Sequence, residues 1–180
     1  MTGAPDITEI RFEVARSFAG PHREKVRAIA ERLREVIDPG IEDHSHGRVF
    51  FDEWFRHEIL GPDMEVLLQR IYHKQTLMPV ADLSEDYANR RWTQAEARGI
   101  RALRMDLDTA RDETARLRIL NIRFDAGEVP GVFDTEGYLD GINLSAEEIA
   151  DDILGSSGNF VVAAVGLRFS FPQKKRILVL

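Results

Sequence analysis

Apolar residues along this chain recur with two periods that take turns. Ile10, Phe12, Val14 and Phe18 fall at near-alternate positions and end at Ala19-Gly20-Pro21, the pattern of a strand and its turn. Val26, Ile29, Ala30, Leu33, Val36 and Ile37 then return at helical spacing. Val49-Phe50-Phe51 predicts a short buried strand, and Met64, Leu67, Leu68 and Ile71 predict the inner face of the next helix. Leu77 to Leu83 reads as a third strand, followed by a helix from about Thr93 to Thr109. Leu117, Ile119, Leu120, Ile122 and Phe124 mark a fourth strand, and Tyr138-Leu139 a short fifth. Ser145-Ala146-Glu147-Glu148 is a capping box, which opens a last helix over Ala146 to Leu154.

Strands that alternate with helices build a parallel sheet, with right-handed crossovers and helices on both faces. The order predicts an α/β, flavodoxin-like, doubly wound domain on a five-stranded sheet. Gly155-Ser156-Ser157-Gly158 reads as a linker, which closes the domain at residues 1–154. The apolar, β-branched run from Phe160 to Phe169 and the resumption at Ile177-Leu178-Val179-Leu180 predict strands, arranged as a hairpin around Pro172-Gln173-Lys174. An exposed apolar strand is an aggregation hazard, so this tail (155–180) needs a cover. A sheet edge, a partner protein or a further module would each supply one.

Composition narrows the function. A chain of 180 residues without cysteine has room for one good core, and excludes disulfides, thiolate catalysis and cysteine metal sites. No basic-then-apolar leader and no membrane-length apolar run is visible, so the expected setting is the cytoplasm, away from membranes. Net charge is −7, and four of the 24 bases lie beyond residue 154. The first 154 residues therefore carry 31 acids against 20 bases, a net of −11. Such a body repels phosphate and is a poor direct binder of nucleic acid.

The candidate chemistry lies in Trp92-Thr93-Gln94-Ala95-Glu96. Residues four apart on a helix share a face, so the indole and the carboxylate border one small volume. With a strand before it, that volume lies outside the carboxyl end of the sheet, where open α/β folds bind ligands. Thr93 to Glu96 also has the form of a capping box, in which Glu96 would serve only the helix start.

In this order the pieces resemble a TIR domain of the bacterial type found in antiviral defence, from about Ile10 to Leu154. Glu13-Val14-Ala15-Arg16-Ser17-Phe18-Ala19-Gly20 is similar to that family's first strand and following loop. Phe51-Asp52-Glu53 with Leu60-Gly61-Pro62-Asp63-Met64 resembles the second strand, the BB loop and the next helix. Leu83-Ser84-Glu85-Asp86-Tyr87-Ala88 through Trp92 and Glu96 resembles the third strand and the catalytic helix. Arg123-Phe124-Asp125 with Val129-Pro130-Gly131-Val132 resembles the region after the fourth strand. Four positions depart from the family pattern. Arg16 and Asp82 are charged where the strands are normally apolar, Pro79 also falls inside the third strand, and Leu60 replaces a common aromatic. Pro79 is tolerable near a strand start. Asp82 costs several kcal/mol unless it is paired or faces a cleft, and its place near the strand's carboxyl end suits a cleft.

The resemblance implies an NAD+ glycohydrolase of bacterial immune signalling or abortive infection, with NAD+ as substrate and no cofactor. It makes Glu96 the catalytic residue and Trp92 a wall of the pocket. It puts substrate contacts at Ser17, Phe18, Ala19 and Arg23 after the first strand, and at Asp52 and Trp54 after the second. Asp82 joins them from the third strand. One carboxylate suffices for this reaction, because the leaving group is a pyridinium that departs neutral without a general acid. Trp54, Phe55 and Ile59 are expected to be exposed on the BB loop and to carry self-association. Asp43-His44-Ser45-His46-Gly47 reads as a polar loop, and no metal site is expected. The rival is a scaffold without turnover that acts by self-association or by docking to another TIR protein.

Overall fold

A computed structural model describes residues 6–61, 63–110, 118–127 and 137–165, with backbone alone for Ser45, Ala88, Trp92 and 158–165. Within them lie strands β1 (Phe12–Phe18), β2 (Val49–Phe50), β3 (Thr76–Leu83), β4 (Leu120–Arg123) and β5 (Leu139–Asp140). All pair in parallel in the order β2-β1-β3-β4-β5. That is the flavodoxin-like order which the alternation of periods predicts.

Among the described residues, five α-helices cover the two faces: α1 (Arg23–Ile37), α2 (Arg56–Ile59), α3 (Met64–Arg70), α4 (Arg91–Ala110) and α5 (Ala146–Val165). Helix α1 buries Val26, Ile29, Ala30, Leu33 and Ile37 against Val14, Phe18, Met78 and Val80, and the buried face of α5 joins them. Val36 was expected on the same stripe and is instead exposed. On the other face α3 and α4 pack over Ala15, Ala81 and Leu83. Gly99 permits their close approach, since a Cβ there would lie 2.7 Å from the Gln69 carbonyl oxygen. Helix α3 passes through a π-turn (Ile71–Gln75) directly into β3.

Pro79 fits its central strand for a simple reason. Carbonyl and amide directions alternate along a strand, and Leu83 offers its carbonyl to Phe124 on the β4 side. Pro79 faces the same side, one residue before the β3–β4 ladder begins at Val80 and Leu120. Its missing donor is therefore not needed.

Helix α5 corrects the expected boundary. Its capping box is present: Glu148 N–H donates to Ser145 Oγ at 3.1 Å, and Ser145 N–H to Glu148 Oε2 at 3.0 Å. The helix then runs through Gly155-Ser156-Ser157-Gly158 to Val165, so these residues are no linker and 160–165 is not a strand. Ser157 extends the buried stripe of Ile149, Ala150 and Ile153. The two seryl hydroxyls donate back to the carbonyls of Asp152 and Leu154. The rest of the tail, 166–180, lies outside the described residues, as do Leu117 and the 129–132 match. Among the described residues no helix is long and apolar enough to cross a membrane.

Candidate active site

The chain leaves β1 towards β2 and leaves β3 towards β4, on opposite sides, so a crevice opens between the carboxyl ends of β1 and β3. Ser17 comes to this point from β1. It alternates with Ala15 and Ala19 onto the side where Tyr87 and Ala95 pack. Glu96 arrives from the second turn of α4 and is 6% exposed. Ser17 Oγ donates to Glu96 Oε2 at 2.6 Å, and Tyr87 Oη lies 2.6 Å from the same Ser17 oxygen.

The capping-box reading of Thr93 and Glu96 does not hold. Helix α4 begins at Arg91, and the Arg90 carbonyl already accepts from Gln94 N–H at 3.1 Å. Thr93 is inside the first turn, where its hydroxyl donates to the carbonyls of Tyr87 and Arg90. It thereby ties the 3-10 turn Tyr87–Asn89 to the helix, and leaves Glu96 to Ser17.

Burial dominates the electrostatics of Glu96. It pushes the carboxyl up to about 8; repulsion from Asp52 and Asp82 adds to this, while the Ser17 hydrogen bond and Arg23 oppose it. Burial also raises Tyr87 far above the ordinary tyrosine range, with the Glu96 charge adding to it. Asp52 is raised by burial, against the pull of Arg23. Arg23 Nη1 bridges Glu53 at 2.6 Å and Asp52 at 3.4 Å, with its guanidinium over the Phe18 ring. Arg27 holds the other oxygen of Glu53.

The two charged departures in the strands are one another's partners. Arg16 Nε donates to Asp82 Oδ2 at 2.9 Å and Nη2 to Oδ1 at 2.5 Å, both side chains fully buried. They lie with Val14 and Val80 on the α1 side of the sheet, opposite Ser17. Burial lifts Asp82 to about 6, and Arg16 restrains the rise. Tyr72 Oη donates to the Arg16 carbonyl at 2.7 Å, which anchors the same stretch of β1 from the α4 side.

The sequence-predicted residues thus divide. Ser17, Glu96, Arg23 and Asp52 gather at the carboxyl ends of β1, β2 and β3. Asp82 stands beneath them in its ion pair, and Phe18 and Ala19 are buried core residues. Trp92 is one turn before Glu96 on α4, with its side chain outside the described residues. Trp54 is partly buried, edge-on to Phe51 at 5.3 Å and tilted against His44 at 4.6 Å. The expectation of an exposed Phe55 and Ile59 is overturned. Phe55 is fully buried against Phe12 and Phe50, and Ile59 is 8% exposed. The two-residue strand β2 ends early, and the following turn folds those side chains inward. Among the described residues, the large apolar groups exposed in that region are Leu60 and Val66.

Sequence reasoning missed Tyr87 and Glu53 as parts of the site. Tyr87 stands within the stretch that resembles the third strand and its loop, nine residues before Glu96, but its partner Ser17 is 70 residues away. Chemically, the arrangement offers one buried carboxyl next to hydroxyls, with a charged Arg23–Glu53–Arg27 group at its margin. Such a carboxylate can face a developing cation in a medium of low dielectric.

No protein-family model matches the chain. Over 139 residues, 77% of its length, it is 30% identical to a 3′ cyclic ADP-D-ribose synthase, AaTIR, from Aquimarina amphilecti. The matched region spans 38% of that longer protein. The parallel 2-1-3-4-5 sheet is consistent with the flavodoxin-like fold of a TIR domain, and this likeness supports it.

Proposed function

We propose that this chain is a TIR-type enzyme that cleaves the nicotinamide–ribose bond of NAD+, with Glu96 as its catalytic residue. The observation that carries the reading is the buried Glu96 carboxyl at the β1–β3 crevice, held by Ser17 from the neighbouring strand. As the bond from ribose C1 to the ring nitrogen breaks, its electron pair neutralises the pyridinium. The ribosyl carbon becomes an oxocarbenium ion, and a carboxylate facing it stabilises that charge. Water then takes the carbon to give ADP-ribose, or a nucleophile of the substrate itself takes it to give a cyclic isomer. The relative's name, a cyclic ADP-ribose synthase, supports the cyclic product. A site in which Glu96 is almost wholly covered also disfavours water. We place the activity in bacterial immune signalling.

The test is nicotinamide release from NAD+ by the pure protein, with products separated by chromatography. Glu96→Gln keeps the shape and removes the charge; a contact of this kind is worth about 100- to 1,000-fold in rate. Wild-type turnover by Glu96→Gln would refute the catalytic assignment. An inactive wild-type protein at every concentration would favour a TIR scaffold.

A further inference from the structure

Ser17 has one hydroxyl proton and two oxygen neighbours, Glu96 Oε2 and Tyr87 Oη, each at 2.6 Å. In the ionised form that faces a developing cation, the carboxylate has no proton to give, so Ser17 must donate to Glu96. The Ser17 oxygen is then left to accept, and the phenol must donate to it. In that form the chain has a single polarity, from Tyr87 to Ser17 to Glu96. Its members come from the turn after β3, from β1 and from α4, and each is at most 6% exposed. Burial keeps the Tyr87 proton in place at any ordinary pH, so it remains a donor.

We propose that Tyr87 and Ser17 are positioning residues for Glu96: their hydroxyl chain fixes the rotamer of the carboxylate and favours its ionised form. The proposal rests on the reading of Glu96 as catalytic. It gives Ser17 a role other than the substrate contact that the resemblance implies, because the seryl proton is committed to the ionised Glu96. The charged and titratable groups around that carboxylate are Asp52 after β2, Asp82 on β3, Arg23 on α1, Tyr72 before β3 and Tyr87 itself. Two of these, Asp52 and Asp82, penalise the Glu96 charge. Arg23 opposes them at a distance, and Ser17 is the group that touches it.

Tyr87→Phe deletes one oxygen and leaves the ring to fill its place in the core. Ser17→Ala deletes the direct donor. A hydrogen bond to a charged group is strong enough that its loss should lower kcat by about 10-fold or more, with KM little changed. Losing a donor to the ionised form also disfavours that form. The acidic limb of kcat/KM should therefore move to higher pH by about one unit in Ser17→Ala, and by less in Tyr87→Phe. A second readout needs no turnover: carboxyl-selective carbon NMR of Glu96 in the substrate-free protein, where the titration midpoint should rise in the same order. An inactive wild-type protein would refute the enzymatic reading, and with it any catalytic role for the chain, while NMR still decides the hydrogen-bonding part. A wild-type Glu96 midpoint in both variants would overturn that part. A shifted midpoint with unchanged kcat would overturn the positioning role. If Ser17→Ala fails to fold, the isosteric Tyr87→Phe decides alone, by the same two readouts.

Discussion

Glu96→Gln should stabilise this protein, and increasingly so as pH rises. Burial pushes the folded carboxyl up to about 8 from its ordinary 4.5. The unfolded chain releases that proton near 4.5, whereas the folded chain keeps it until about 8. Between those values the folded state binds more protons, so stability falls as pH increases. The group's contribution is whole below 4.5 and lost once pH has passed 8. The full span corresponds to about 5 kcal/mol, of which about 3.5 kcal/mol is lost between pH 5 and pH 8. Glutamine occupies the same volume, accepts from Ser17 and has no charge to desolvate, so it does not share this loss. Asp52 and Asp82 titrate in both proteins, and only their coupling to Glu96 enters the difference. Chemical or thermal melts of the two proteins at pH 5, 6.5 and 8 supply the measurement. Their difference should widen with pH; at about 2–4 °C per kcal/mol for a domain of this size, it reaches roughly 10 °C in Tm. A difference that is flat from pH 5 to 8 would show that Glu96 is already ionised in the folded state. The attraction of Arg23 and Ser17 would then outweigh burial, and the account of the site's electrostatics given above would fail.

Asp82→Asn strands the fully buried Arg16 guanidinium and should cost about 3–5 kcal/mol in denaturant melts, while Arg16→Met with Asp82→Leu should recover most of that. A double variant as unstable as the single one would show that the ion pair itself, rather than its broken half, matters. Gly155→Ala should stabilise by up to about 1 kcal/mol, because Gly155 is inside α5 and a Cβ there meets nothing within 4 Å. Unchanged Tm would restore the linker reading. We further propose that the active form is assembled, through the exposed Leu60 and Val66 rather than through Phe55 and Ile59. Specific activity should then rise with protein concentration, and Val66→Asp should flatten the rise without changing the dilute rate; a flat wild-type curve counts against assembly.

The elements that could be read from the sequence are those whose burial is written in period. The stripe of α1 and the near-continuous apolar run of β3 leave few alternatives, and they fix a parallel sheet with covered faces. Reading failed where composition and packing disagree. Gly155-Ser156-Ser157-Gly158 has the residues of a loop, yet position 157 continues the buried spacing of Ile149 and Ile153, and the serine hydroxyls find carbonyls one turn back. Packing overrides propensity there. Phe55 and Ile59 failed for another reason. Nothing local says that a turn after a two-residue strand points inward, and Phe12 and Phe50 become the partners of Phe55 only once the sheet exists.

Arg16 and Asp82 mark the step that reading by single positions omits. Taken separately, each is a charge in the wrong place, and each weakens the assignment of its strand. Taken with the register they cancel. Alternation puts Arg16 on the face of Val14 and Phe18, and Asp82 on the face of Val80. Pairing the carboxyl ends of the two central strands sets Phe18 beside Asp82 and Arg16 beside Val80, so the charges stand diagonally, two residues apart, on one face. A long guanidinium spans that diagonal and a short carboxylate receives it in two hydrogen bonds. Strand ends and alternation were available from the periods, and a flavodoxin-like topology puts β1 next to β3. Two unexplained charges on adjacent parallel strands are therefore better tested against each other first, and against a cleft only if no register pairs them.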